Sequence, residues 1–197
     1  MTSQPGTLRF IETHSSIPID GKYYLKDLAG SGGRVDVLCR SLSACYDWAP
    51  SPLSSMEIKF IAILNAEIVL WFSNPSAELP IGERAWAEVI QDSLQGHPPE
   101  FVKVHQWNIE KLVEEILKEE ASYIWALVQE RIPFDRMESF DPRAQNSFML
   151  GDHQGFDADT QQVIRDYGIA QVSLGDISYL SSHCVATIIS RLERMVG

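Results

Sequence analysis

Two stretches near the C-terminus, Phe148-Met-Leu-Gly-Asp-His-Gln-Gly-Phe156 and Val172-Ser-Leu-Gly-Asp-Ile-Ser-Tyr-Leu-Ser-Ser-His-Cys184, share one design. Each is a short apolar run that breaks at a glycine into small and polar residues, and each break is followed by a helical pattern. A glycine at a strand end lets a ligand approach the main chain closely, and open α/β sheets bind ligands beyond the carboxyl ends of their strands. The two breaks therefore form a candidate binding site. A third glycine-rich segment, Gly30-Ser-Gly-Gly33, precedes Val35, Leu38, Leu42 and Cys45, which recur at helical spacing. Such a loop can present helix N-terminal amides to an anion, with Arg34 beside them. It has neither the Walker ending nor the GxGxxG fingerprint, so taken alone a structural turn is the simpler expectation.

Other residues with chemical potential have plainer readings. His14 closes the first apolar segment and could point into the site, although a satisfied structural histidine is the simpler expectation. His153 and His183 each flank a glycine break, and neither sits in a ligand set with metal spacing, so no metal site is expected. Cys39, Cys45 and Cys184 are odd in number, lack CxxC spacing and fall in helical patterns, which suits reduced, buried thiols. Trp71, Trp86, Trp107 and Trp125 read as core residues before base-stacking platforms.

These groups need a scaffold, and the chain supplies alternating signals for one. Strand patterns are read at Leu8–His14, 57–64, 67–72, 100–104, 122–128, 146–150 and 169–174. Helical patterns are read from Val35, over 81–94, at Ile109–Leu117, over 157–167, and at the C-terminus, where Val185, Ile188, Ile189 and Leu192 share a face. Prolines at 50 and 52 close the first helix, and Asn74-Pro75 closes the third strand. Between 129 and 145 lies a long, charged, proline-punctuated loop, of a length that is often functional. Strands alternating with helices predict an α/β fold, a mostly parallel sheet covered on both faces. With 197 residues, 45% hydrophobic and 22% charged, the chain suits a single domain over 1–197. No apolar run is long enough for a membrane span and the start has no signal-peptide character, which predicts a soluble, cytoplasmic protein.

The net charge of −11 argues at face value against a nucleic-acid partner. Its distribution qualifies that. Residues 1–40 hold five Lys/Arg against four acids and residues 161–197 hold three of each, so the excess of acid lies in the middle. A few arginines at the right place can still hold phosphates.

Asp27-Leu-Ala-Gly-Ser-Gly-Gly-Arg-Val-Asp-Val-Leu-Cys-Arg40, Leu150-Gly-Asp-His-Gln-Gly-Phe156 and Val172 to Cys184 together resemble the TrmY family. These are SPOUT-class methyltransferases that methylate N1 of a pseudouridine, position 54, in the tRNA T-loop. The resemblance implies a SPOUT-type α/β sheet whose C-terminal segment, about 122–197, threads a loop to form a trefoil knot. It further implies S-adenosylmethionine bound bent in that knot, and a homodimer with its active site at the subunit interface. Carried over residue by residue, the methyl-donor site comprises Leu127, Gly151, Leu174, Gly175, Asp176, Ile177, Ser178, Tyr179 and Cys184. A cationic sulfonium tolerates a nearby carboxylate such as Asp152 or Asp176.

On that footing, positioning carries much of the rate of methyl transfer, and the N1 proton must leave. Asp36 is the expected proton acceptor, and Arg34 and Arg40 are expected to hold RNA phosphate or charge developing on the base. Without the resemblance, Arg34, Asp36 and Arg40 would read as a surface ion pair. Two alternatives stay open: a SPOUT methyltransferase for another RNA nucleotide, and a non-catalytic dimeric module. The second draws on the acidic middle and on the absence of any basic residue from Ser41 to Ile58.

Overall fold

The computed structural model describes residues 6–47, 56–73, 79–151, 155–177 and 179–196. Seven strands form one sheet: β1 (Gly6–His14), β2 (Met56–Leu64), β3 (Ile68–Phe72), β4 (Val102–His105), β5 (Ser122–Leu127), β6 (Gln145–Leu150) and β7 (Ala170–Val172). Their order is β4-β3-β2-β1-β6-β5-β7. The five strands from β2 to β7 run parallel, and β3 and β4 add an antiparallel edge. β1 is buried along nearly its whole length, as a central parallel strand must be when both faces are covered.

Among the described residues five helices cover the sheet: α1 (Val35–Tyr46), α2 (Gly82–Leu94), α3 (Ile109–Leu117), α4 (Ala158–Asp166) and α5 (Ser181–Val196). Side chains alternate across β1. Leu8 and Phe10 pack with Leu38, Trp86 and Ile188 from α1, α2 and α5, while Ile11 packs with Leu112 and Val163 from α3 and α4. The apolar spacing of α3 is clean enough that its predicted and observed limits coincide. Asn108 caps it by accepting from the Lys111 amide, and Asp157 caps α4 by accepting from the Thr160 amide.

Two features add detail to the expected mostly parallel sheet. The turn between β2 and β3 places Asn65 and Ala66 at φ 49° and 55°, the left-handed pair of a tight hairpin, so β3 returns antiparallel. The 129–145 loop is partly ordered against the end of β7: Ser173 donates to the Ile132 carbonyl at 3.1 Å and accepts from the Phe134 amide at 3.2 Å. A single 3-10 turn, Phe134–Arg136, follows. The prolines at 50 and 52 and the Asn74-Pro75 break lie outside the described residues.

The sheet order defines one point where connections diverge. From β1 the chain crosses through α1 to β2 on one side, while β6, β5 and β7 stack on the other. Crevices at such a divergence, beyond the carboxyl ends of the strands, are where α/β sheets hold ligands.

Candidate functional site

A cavity of about 1090 Å³ opens at that divergence. Its size is at the upper end of the ~300–1,000 Å³ of most small-molecule sites. Its walls come from the end of β1 (His14, Ser15, Ser16), from Gly33, Arg34 and Arg40 at the start of α1, and from Leu127 to Gln129 after β5. Leu150, Gly151, Gly155 and Phe156 follow β6, and Leu174, Ile177 and Tyr179 to Cys184 follow β7 and open α5. All three segments singled out in the sequence thus border one space.

Not every expected residue does so. Leu127, Gly151, Leu174, Ile177, Tyr179, Cys184, Arg34 and Arg40 line the cavity, whereas Gly175, Asp176 and Asp36 stand outside its lining. Ser178 lies outside the described residues, as do Asp152 and His153. At Gly151 an added Cβ would fall 2.5 Å from the Gly155 carbonyl carbon, so the backbone of the post-β6 loop closes on itself where only glycine fits. Gly175 adopts φ 125°, a conformation other residues rarely take, and sets the direction of the chain after β7.

That post-β7 segment is held from behind by α5. Arg191 donates to the Leu174 carbonyl at 2.6 Å, pairs with Asp135 at 3.2 Å and lies over the Phe134 ring. One guanidinium thereby fixes the β7 exit to the ordered part of the 129–145 loop.

On the opposite wall, Arg34 begins α1 in the left-handed conformation, φ 70° and ψ 30°. A non-glycine residue there costs on the order of 1 kcal/mol and persists where its surroundings impose it. Its Nε and second guanidinium nitrogen donate to the Asp36 carboxylate at 2.9 and 3.1 Å. Arg40 bonds the same carboxylate and also donates to the Asp36 carbonyl at 3.2 Å. Burial acts to raise Asp36, but the two guanidiniums outweigh it and hold its carboxyl below the usual carboxylate range. Asp36 is thus a fixed counter-charge that aims two arginines at the cavity.

Cys184 is partly enclosed; burial, with a contribution from the charge of Glu12, pushes its thiol up to about 11. It is a neutral wall residue at pH 7, without the thiolate a nucleophile needs. His183 also borders the cavity. Among the described residues no three His, Cys, Asp or Glu side chains cluster as metal ligands, and no helix is long and apolar enough to cross a membrane.

The charge of the described lining differs from that of the chain as a whole. The described lining contains three arginines, Arg34, Arg40 and Arg165, and no carboxylate. In a chain of net charge −11 this gathers three guanidiniums at the cavity wall, two of them paired with Asp36 behind it and Arg40 also 3.7 Å from Glu83. Arg165 on α4 and Gln171 on β7 were not singled out in the sequence. Their only signal was membership of an exposed helix face and a strand edge.

A family model described as "Putative SAM-dependent RNA methyltransferase" matches residues 83–196, more than half of the chain. Relatives include the tRNA (pseudouridine(54)-N(1))-methyltransferase of Methanococcoides burtonii, 26% identical, over 88% of this chain and 90% of that protein. The Thermococcus kodakarensis protein of the same name is 28% identical over 88% and 92%. Among solved structures, Archaeoglobus fulgidus Nep1 bound to S-adenosylhomocysteine superposes with a TM-score of 0.64 at 14% identity, covering 98% of this chain and 99% of that one. A ribosomal RNA small subunit methyltransferase E from Neisseria gonorrhoeae reaches a TM-score of 0.50 at 12% identity, over 97% and 67%. The α/β fold is shared with those solved structures, and the chain belongs to the family of SAM-dependent RNA methyltransferases.

Proposed function

We propose that this protein transfers a methyl group from S-adenosylmethionine to N1 of pseudouridine in the T-loop of tRNA, at position 54. The observation that carries the reading is the cavity itself. It joins a glycine-walled, apolar half to an arginine-lined half that has no carboxylate among its described residues. Relatives named for that reaction span nearly the whole chain.

The residues present fit the cofactor. Leu127, Leu150, Leu174 and Ile177 offer apolar surface to an adenine ring, and the close backbone approach at Gly151 leaves main-chain groups free of side-chain obstruction. Bound there, the cofactor supplies an electrophilic methyl group on a cationic sulfur. On the other side Arg34 and Arg40, anchored by Asp36, hold phosphate and orient the target base. Asp36 already bonds two guanidiniums, which suits it to that anchoring role better than to taking a proton.

The finer architecture belongs to the same proposal. The C-terminal segment forms a trefoil knot over about 122–197, supported by the pairing of Ser173 with Ile132 and Phe134. The active unit is a cytoplasmic homodimer that closes over the cavity mouth. Ile177 and Leu180, which border the cavity, are each more than 60% exposed, apolar surface of the kind a partner subunit covers.

The test is direct. The purified chain, given S-adenosylmethionine and a T-loop stem-loop carrying pseudouridine, is expected to yield N1-methylpseudouridine by nucleoside mass spectrometry. The same stem-loop with uridine is expected to yield none. Methyl gain on a different nucleotide would move the activity to another RNA target, and confirmed cofactor binding without methyl gain on any nucleotide would remove it.

A further inference from the structure

Glu12 lies on β1 with no exposed surface, and both oxygens of its carboxylate lack a hydrogen-bond partner among the described residues. Two residues on, and on the same strand face, His14 is only 7% exposed and borders the cavity. The expected satisfied histidine is not what the structure contains. The buried Nε2 of His14 has no hydrogen bond and stands 3.7 Å from Glu12 Oε1, within ion-pair distance. Buried carboxylates are normally paired, because removing the charge from water is costly and only a nearby cation or donor offsets it. Here the group alongside, among the described residues, is the imidazole of His14, which borders the cavity.

The location matters as much as the pairing. Glu12 is in register with Leu150, the residue before Gly151 on the donor wall. Ser16, two residues after His14, packs against Gly33, the residue before Arg34. The end of β1 therefore sits between the two halves of the cavity, where donor and target base would meet.

We infer that His14 is the proton acceptor of the methyl-transfer reaction and that Glu12 positions it. This rests on the reaction proposed above. Methylation forms the N1–carbon bond and breaks the carbon–sulfur bond, whose electrons stay on sulfur. The electrons of the N1–H bond remain on the ring nitrogen, and the proton passes to His14 Nδ1. Glu12, within ion-pair distance of Nε2, offsets the positive charge gained by the imidazole.

Single-turnover methylation of the pseudouridine stem-loop, at saturating RNA and donor, is compared for wild type, His14→Gln and Glu12→Gln. Affinities for S-adenosylhomocysteine and for the RNA are measured alongside. His14→Gln is expected to lose about 10²-fold in rate, and Glu12→Gln about tenfold, while both affinities stay within about threefold of wild type. Glu12→Gln keeps the shape of the buried side chain and decides the matter if His14→Gln does not fold. Rates within about threefold of wild type, or losses that track the affinities, overturn the assignment while leaving the reaction intact. A wild-type chain that transfers no methyl group to this RNA overturns the reaction and the assignment together.

Discussion

Asp36 joins two guanidiniums to one carboxylate at the mouth of the cavity, so its removal should be felt through both arginines at once. Asp36→Asn is expected to weaken RNA binding by about tenfold, an effect of about 1.4 kcal/mol, with little change in S-adenosylhomocysteine affinity. The pH dependence has a definite sign. Because the folded carboxyl lies below its ordinary value of 3.8, its contribution to stability is present above that value and lost as pH falls through the depressed one. The gap in melting temperature between wild type and Asp36→Asn is therefore expected to hold between pH 7 and 5 and to shrink below about pH 4, as followed by circular dichroism. On the donor side, Gly151→Leu puts a side chain where the Gly155 backbone already stands 2.5 Å from a Cβ. Calorimetric titration with S-adenosylhomocysteine is expected to show affinity lost by more than about 100-fold. Binding that survives this change would place the donor elsewhere.

Among the elements, α5 closes the pocket from behind through Arg191. Its bond to the Leu174 carbonyl and its pair with Asp135 join the last helix to the β7 exit and the 129–145 loop. Arg191→Ala is expected to cost about 1–2 kcal/mol and to lower the melting temperature by about 3–6 °C, with a parallel loss of cofactor affinity. Arg194→Ala, which removes an exposed bond to Ser190, is expected to change stability by less than about 0.5 kcal/mol. The elements differ in how much of themselves they wrote into the sequence. α3 was legible to the residue because Ile109, Leu112, Val113 and Ile116 mark one face and Asn108 caps it. The direction of β3 was not, since a strand's apolar pattern is the same whichever way it runs; only the left-handed turn at Asn65 and Ala66 fixes it. Arg165 was missed for a related reason. An arginine on an amphipathic helix normally marks solvent, and only the fold turns that face of α4 toward the cavity.

For the whole molecule, net charge and its local distribution point in different directions. A net charge of −11 suggests a protein that repels RNA, yet its described cavity lining holds arginines without carboxylates. His14 carries the same lesson, because its partner Glu12 is adjacent only across a strand face and its exposure to the cavity depends on α1 and α5 packing above. RNA binding should therefore be strongly salt-dependent despite the acidic surface, and Arg34→Ala is expected to reduce the slope of log affinity against log salt by about one. The central claim is that this cavity methylates a pseudouridine of tRNA. Its most direct measurement is nucleoside mass spectrometry of tRNA from cells with and without the protein. N1-methylpseudouridine at position 54 is expected to disappear when the protein is removed and to return when it is restored. Unchanged levels of that nucleoside in cells lacking the protein would contradict the account.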